Sequence, residues 1–156
     1  LERCREVTEE TLHSVFNHLY TQNVMLEGVI LKPNMVLPGL SCPKQESVDE
    51  VAAATVKSLL KTVPAAVAGI AFLSGGQSAE LASARLNAMN MIAREPTSRL
   101  PWPLVFSFAR AIQQPALEIW QGRETRVAAA QDALGRRARD NRAALPGEYS
   151  AALERT

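Results

Sequence analysis

The chain has 156 residues, of which 47% are hydrophobic and 21% are charged, and its formal net charge is +1. This length fits one domain or a piece of one, and the nearly balanced charge excludes strong bulk attraction to nucleic acid or to an anionic membrane. No apolar run approaches the ~20 residues that a membrane span needs.

The predicted elements alternate between helices and strands. In chain order they are a helix over 3–22, a strand over 24–31, a helix from the capping box Ser47-x-x-Glu50 to Pro64, a strand over 67–73, a helix that Ser78 caps, a strand over 104–106, a helix over 110–122 and an Arg-rich helix over 124–145. Pro115 is placed in the first turn of its helix, where a missing N–H is tolerated. This alternation predicts parallel βα units. A closed eight-unit barrel takes roughly 250 residues, so three strands indicate either a small open sheet or part of a barrel.

The two cysteines, Cys4 and Cys42, form neither a metal motif nor a disulfide framework. We therefore expect reduced thiols and a cytoplasmic location, with a plastid as the alternative. The first residues, Leu1 to Arg5, carry charges and no signal-peptide pattern. The absence of an initiator Met suggests a chain that begins inside a longer one.

Lys32 ends an apolar strand and is one of only four lysines in the chain. A strand that is apolar on both faces is typical of a parallel sheet covered by helices. Its carboxyl end lies where barrel enzymes hold their reactive groups. A desolvated lysine loses its proton easily and attacks carbonyl carbons, so Lys32 is a candidate Schiff-base nucleophile. The alternative is a solvated lysine at a strand end.

Two candidate phosphate-binding features follow the next two strands. The turn Ser74-Gly75-Gly76 precedes a helix, and the free N–H groups of a helix N-terminus attract anions. Arg110 offers a forked, permanently charged group for phosphate. Parallel strands bring both features to the same edge as Lys32, which predicts a reactive lysine beside a phosphate pocket. Taken singly, the turn and the arginine are also consistent with a plain turn and a surface residue.

Other conspicuous side chains are interpreted as structural. His13 and His18 lie five residues apart, a spacing that does not suit a metal pair, and we expect both to be partly exposed. Trp102 and Trp120 are interpreted as packing residues. The arginines over 136–142 are expected to form a solvated helix face.

Three stretches of the chain closely resemble class-I fructose-bisphosphate aldolases. They are Leu26-Glu27-Gly28-Val29-Ile30-Leu31-Lys32-Pro33-Asn34-Met35-Val36, Phe72-Leu73-Ser74-Gly75-Gly76-Gln77-Ser78 and Leu86-Asn87-Ala88-Met89-Asn90. The similarity runs from Arg3 to about Tyr149. It implies an α/β fold, the C-terminal portion of a (β/α)8 TIM barrel. We expect a single partial barrel domain over 1–156, with βα units and a helix up to residue 145 and a polar tail over 146–156.

The resemblance implies roles for residues already singled out. Lys32 would form the Schiff base with dihydroxyacetone phosphate, Ser74 and Gly75 would bind a substrate phosphate, and Arg110 would contact that phosphate too. Ala109 stands where the family has a glycine whose amide also holds phosphate. The partner implied is a small sugar phosphate, with no metal or other cofactor, no nucleic acid and no membrane. The full-length protein is expected to be a homo-oligomer.

The chain also departs from the family. Phe108-Ala109 replaces the usual Tyr-Gly, and Leu37 replaces a threonine. The family's C-terminal tyrosine is missing. The active-site aspartate, two lysines and glutamate that the family carries on earlier strands are missing too. Glu27 lies at the wrong end of its strand to replace that glutamate. We therefore expect an aldolase fragment that is inactive or barely active alone. The alternative is a non-catalytic half-barrel that serves as an assembly or protein-interaction module.

Overall fold

The fold is a three-stranded parallel sheet whose strands are connected through helices, described here for residues 1–155 of a computed structural model. The helices are α1 (Glu2–Thr21), α2 (Val48–Thr62), α3 (Ala79–Arg94), α4 (Arg110–Trp120) and α5 (Val127–Ala144), and the strands are β1 (Ile30–Leu31), β2 (Gly69–Phe72) and β3 (Leu104–Phe106). Short 3-10 turns lie at Leu26–Gly28, Glu124–Arg126 and Leu153–Arg155. Strand β2 lies in the middle, so that Ile70 pairs with Leu31 on one side and with Leu104 on the other.

Helices α2 and α3 begin where the sequence predicts. Ser47 Oγ accepts the Glu50 N–H at 3.2 Å and Glu50 Oε2 accepts the Ser47 N–H at 2.8 Å, which completes the predicted capping box. Ser78 Oγ accepts the Leu81 N–H at 3.2 Å. These caps satisfy amides that have no partner inside the helix, so both helices start at fixed residues beside the sheet.

The first strand is shorter than expected. The prediction of a strand over 24–31 is wrong for its first six residues, because Leu26–Gly28 forms a 3-10 turn in which the Val29 N–H reaches the Leu26 carbonyl at 2.9 Å. Only Ile30–Leu31 pairs with β2. Ile30 is 67% exposed, although its apolar side chain led us to expect burial. The sheet is therefore open on the side of β1.

Pro115 is the second correction. It lies in the middle of α4, not in the first turn. A proline there cannot donate a backbone hydrogen bond to the preceding turn. Helix α4 packs more extensively against α5 than any other pair of elements packs together, and this tertiary packing offsets the lost bond. The helix ends at Trp120, and the cap residue Gln121 adopts a left-handed conformation with φ 51°.

The core lies between the sheet and the helices, and one amide joins several of its parts. The largest fully buried apolar side chains are Phe72, Met35, Ile70, Leu86 and Met89. Beside them, Asn90 Nδ2 donates to the carbonyls of Leu104 at 3.3 Å and Ala144 at 3.1 Å. This side chain thus links α3, β3 and the end of α5.

None of the helices described up to residue 155 is long and apolar enough to cross a bilayer.

The side chains interpreted as structural behave in different ways. His13 and His18 are exposed, and Trp102 is buried with its indole N–H donating to the Pro64 carbonyl at 2.9 Å, as expected. Trp120 is 43% exposed and packs on one side only, in an apolar groove between α4 and α5. Cys4 and Cys42 are both free thiols.

Arg137 contradicts the expected solvated arginine face. It is 4% exposed, and its Nη1 lies 3.2 Å from Asp140 Oδ2 and 2.5 Å from Glu154 Oε1. Its Nη2 donates to Ser83 Oγ at 2.7 Å and to the Ala79 carbonyl at 2.9 Å. The neighbouring arginines of α5, at 136, 139 and 142, are exposed as predicted. The pattern of charge did not reveal that one arginine of the four points inward.

The segment 146–155 packs against α3. Tyr149 is 8% exposed, its N–H donates to Asn87 Oδ1 at 2.9 Å, and its hydroxyl donates to Glu154 Oε1 at 2.7 Å. Burial disfavours ionisation of Glu154, but hydrogen bonds from Arg137 and Tyr149 outweigh this and lower its pKa. Burial and the nearby Glu154 raise the pKa of Asp140. The segment is therefore held by charge as well as by packing.

We predict that Leu86→Ala lowers the free energy of unfolding by about 2–5 kcal/mol, because it leaves a cavity in a fully buried part of α3. The matched control is Leu81→Ala on the same helix, whose side chain is 41% exposed. Urea unfolding monitored by circular dichroism measures both. Equal losses in the two variants would contradict the assigned core.

We predict that Glu154→Gln destabilises the chain by about 1–2 kcal/mol at pH 7, because it removes a charge-assisted partner of Arg137. The lowered pKa means that the ionised carboxylate stabilises the fold above its ordinary pKa of about 4.3 and loses this effect as the pH falls through the lowered value. The difference between wild type and variant should therefore shrink from pH 7 to pH 3.

Thermal unfolding across that pH range measures this effect, and Glu148→Gln, an exposed glutamate of the same segment, is the control. A difference that stays constant with pH would show that the charge of Glu154 has no role.

Candidate active site

Lys32 lies at the carboxyl end of β1 and is exposed. It lines an open cavity of about 540 Å³ together with residues of the loop after β1, Leu73 after β2, and one face of α1. Arg3, Val7 and Thr11 of α1 recur every four residues, a spacing that places them on one side of a helix. The reactive group that the sequence predicts therefore has space beside it for a small molecule.

The loops after β1 and β2 are joined by their backbones. The Leu73 N–H donates to the Pro33 carbonyl at 3.0 Å, one residue after Lys32. On the other side of β2, the Ser107 N–H donates to the Phe72 carbonyl at 2.8 Å. The parallel pairing thus continues past the strands, and the three loops leave the sheet at the same edge, as the sequence predicts.

The glycine turn after β2 has a conformation that requires glycine. Gly75 has φ +59° and Gly76 has φ +81°, which place both in the left-handed region that side chains disfavour. Ser74, just before them, is buried, and its carbonyl accepts the Gln77 N–H at 3.1 Å. The turn therefore closes tightly and leads directly into the cap of α3.

Arg110 lies beside this turn. It is the first residue of α4, and a Cβ built on Gly76 would lie 3.9 Å from its Nη2. Gly76 of the turn and Arg110 line a common cavity of about 370 Å³ with Gln114 and Glu118 of α4. Arg110 forms no ion pair with a carboxylate of residues 1–155, since none of the salt bridges in that range includes it. Its guanidinium is therefore available to an anion.

Ala109 lies at the N-cap position of α4. By resemblance, the family has a glycine at this position. Its φ is −101°, on the negative side that any residue can adopt. Its carbonyl accepts the N–H groups of Ile112 at 3.0 Å and of Gln113 at 2.9 Å. The helix that carries Arg110 thus begins normally.

The predicted site residues form two groups. Gly76 and Arg110 line one cavity, and Ser74, Gly75 and Ala109 are their neighbours in the chain, whereas Lys32 lines a separate cavity beside α1. No aspartate, glutamate or histidine of the described chain lines the Lys32 cavity. Within residues 1–155 there is also no cluster of such groups and cysteines arranged to hold a metal ion.

Several residues that line or connect these loops were not predicted from the sequence. Arg3 and Thr11 line the Lys32 cavity, and their i, i+8 spacing was the available signal. Gln77 links the two loops, since its Nε2 donates to the Ser74 carbonyl at 2.9 Å and reaches Met35 Sδ at 3.5 Å. Arg85 of α3 is 5% exposed and donates from Nη1 to Gln77 Oε1 at 2.8 Å. Its position, three residues after Ala82 and four before Met89, places it on the buried face of α3, but its charge favours an exposed interpretation.

The sequence profile of the glycolytic class-I fructose-bisphosphate aldolases matches residues 1–156. The chain belongs to this family. Fructose-bisphosphate aldolase B of Sparus aurata is 52% identical over 149 residues, which cover 96% of this chain and 40% of that protein. A probable class 1 fructose-bisphosphate aldolase of Xylella fastidiosa (strain 9a5c) is 52% identical over 145 residues, covering 92% of this chain and 42% of that one.

A solved structure supports the same conclusion for the fold. The fructose-bisphosphate aldolase of Plasmodium falciparum, crystallised with TRAP and a small-molecule inhibitor, superposes with a TM-score of 0.89 at 43% identity. The match covers 96% of this chain and 42% of that one. It confirms the predicted fold class, an open part of a (β/α)8 barrel. This aldolase-family chain spans about 40% of the length of the curated relatives it matches.

Proposed function

We propose that this chain supplies the Schiff-base lysine and part of the phosphate site of a fructose-bisphosphate aldolase. The reaction is the reversible cleavage of fructose 1,6-bisphosphate to dihydroxyacetone phosphate and glyceraldehyde 3-phosphate. The observation that carries the proposal is the glycine turn with Arg110 beside it, at the same sheet edge as Lys32. Family membership supports the choice of substrate class.

Lys32 would act through its unprotonated Nζ. The amine attacks the ketone carbon of the substrate, and loss of water leaves a protonated imine. When the carbon–carbon bond breaks, its electron pair moves into this imine to form an enamine, and the aldehyde product leaves. Protonation of the enamine and addition of water then release dihydroxyacetone phosphate and return the free amine.

The phosphate group would bind away from the reacting carbon. The N–H groups at the start of α3 and the positive end of its dipole favour an anion at the turn. Arg110 adds charge-assisted hydrogen bonds, which are roughly twice as strong as neutral ones. Holding the phosphate there would fix the position of the ketone relative to Lys32.

Cleavage also needs a base that takes the proton from the hydroxyl next to the breaking bond. The cavity that Lys32 lines has no carboxylate among its described residues. Glu27 lies in the 3-10 turn before β1, at the opposite end of the strand from Lys32. We therefore propose that the chain alone cleaves the bisphosphate far more slowly than a complete barrel does. A complete barrel would be a homo-oligomeric, cytoplasmic enzyme.

We predict that borohydride treatment with dihydroxyacetone phosphate leaves a reduced adduct on Lys32, and that Lys32→Arg abolishes it, because a guanidinium cannot form the imine. Lys57→Arg, an exposed lysine of α2, is the control and should label as the wild type does. Peptide mass spectrometry identifies the labelled residue. Absence of the adduct, beside a full-length aldolase that labels, would overturn the proposed role of Lys32 in this chain.

We predict that Arg110→Met raises the dihydroxyacetone phosphate concentration at half-maximal labelling about 10- to 100-fold, since a charged hydrogen-bond donor contributes about 1.5–3 kcal/mol. The same substitution at Arg123, an exposed arginine just beyond α4, is the control. Labelling over a concentration series gives both values. An unchanged midpoint in Arg110→Met would place the phosphate elsewhere.

A further inference from the structure

Arg85 is a buried cation without a matching carboxylate. Its side chain belongs to α3, is 5% exposed, and forms no ion pair within the described part of the chain. Its Nη1 donates to Gln77 Oε1 at 2.8 Å, and its Nε is buried without a hydrogen-bond partner. Arg137, the other buried arginine, contacts two carboxylates. Burying a guanidinium costs several kcal/mol unless good partners offset it, so stability does not account for Arg85.

Among the residues that the structure describes, Gln77 is the hydrogen-bond partner of the Arg85 side chain, and it also contacts the glycine turn. Gln77 Nε2 donates to the Ser74 carbonyl at 2.9 Å and reaches Met35 Sδ at 3.5 Å. A guanidinium has donors only, so Arg85 can donate to the oxygen of the Gln77 amide but cannot bond to its nitrogen end. Arg85 therefore directs the amide's nitrogen end toward the turn and toward the loop after β1. Met35 is fully buried, which gives this link a fixed attachment three residues after Lys32.

We infer that Arg85 is a positioning residue that sets the phosphate-binding turn through the orientation of the Gln77 amide. It contacts neither the ligand cavity of Arg110 nor that of Lys32. Its effect passes to the Ser74 carbonyl and from there to the conformation of Gly75 and Gly76. The consequence for phosphate affinity rests on the proposed function, whereas the consequence for the conformation of the turn does not.

The first test measures the turn itself. Arg85→Met removes the charge and keeps a side chain of similar length, and Arg94→Met, an exposed arginine at the end of α3, is the control. We expect faster amide hydrogen exchange over 74–78 in Arg85→Met, by roughly tenfold or more, without faster exchange in the core of α2. Exchange over 74–78 equal to that of the control would overturn the inference, whether or not the chain binds a sugar phosphate.

The second test separates positioning from stability. Arg85→Met should keep or raise the urea midpoint, because the substitution removes the desolvation cost of a buried guanidinium that has no carboxylate partner. The midpoint for labelling of Lys32 with dihydroxyacetone phosphate should nevertheless rise roughly tenfold, since small displacements of a binding group can cost up to about 100-fold. A fall in the urea midpoint with no change in the labelling midpoint would make Arg85 a merely structural residue. Failure of the wild type to label would instead refute the proposed function, and the exchange result would still decide the role of Arg85.

Gln77→Leu keeps the test decisive should Arg85→Met fail to fold. It removes both ends of the amide while preserving most of its volume, and it should reproduce the faster exchange over 74–78. The double variant should add little to either single change, because Arg85 acts through Gln77. Additive effects in the double variant would contradict the relay.

Discussion

The parallel pairing of β2 with both of its neighbours is the constraint on which the rest of the structure depends. Because all three strands run in the same direction, their carboxyl ends meet at one edge. The hydrogen bonds from Leu73 to Pro33 and from Ser107 to Phe72 extend this order into the loops. Three short segments that are far apart in the sequence thereby bring a lysine, a glycine turn and an arginine to the same edge. Without the sheet that aligns them, none of these three features would indicate a common site.

Local sequence signals predicted the helices well because those signals act over a few residues. The capping box at Ser47 and the cap at Ser78 satisfy the first amides of α2 and α3 whatever the rest of the fold does. The errors occurred where distant contacts decide. The apolar run before Lys32 resembles a long strand, yet most of it forms a turn and Ile30 is exposed. Pro115 lies mid-helix because α5 supports α4 from outside.

The candidate site shows the same division. Lys32, the Ser-Gly-Gly turn and Arg110 could be predicted because each occupies a recognisable place at the end of a strand or the start of a helix. The contacts of Gln77 and the burial of Arg85 and Arg137 could not be predicted. Which arginine of a helix is buried depends on the element that packs against it. Periodicity predicts which face of a helix is apolar. It does not predict whether a charged residue on that face will be buried, because this depends on a carboxylate or amide partner from another part of the fold.

The two left-handed glycines have a consequence for how this protein can vary. Every replacement of a glycine by another residue introduces a side chain, and at Gly75 and Gly76 that side chain meets a backbone of φ +59° or +81° that disfavours it. A Cβ on Gly75 would only contact Leu73 Cδ1, at 3.4 Å, so the backbone conformation and not the available space is what restricts this position. Any amino-acid substitution at Gly75 or Gly76 therefore strains the backbone of the turn. Ala109, whose φ of −101° is negative, does not have that restriction, so the turns that precede α3 and α4 differ in how readily mutation can alter them.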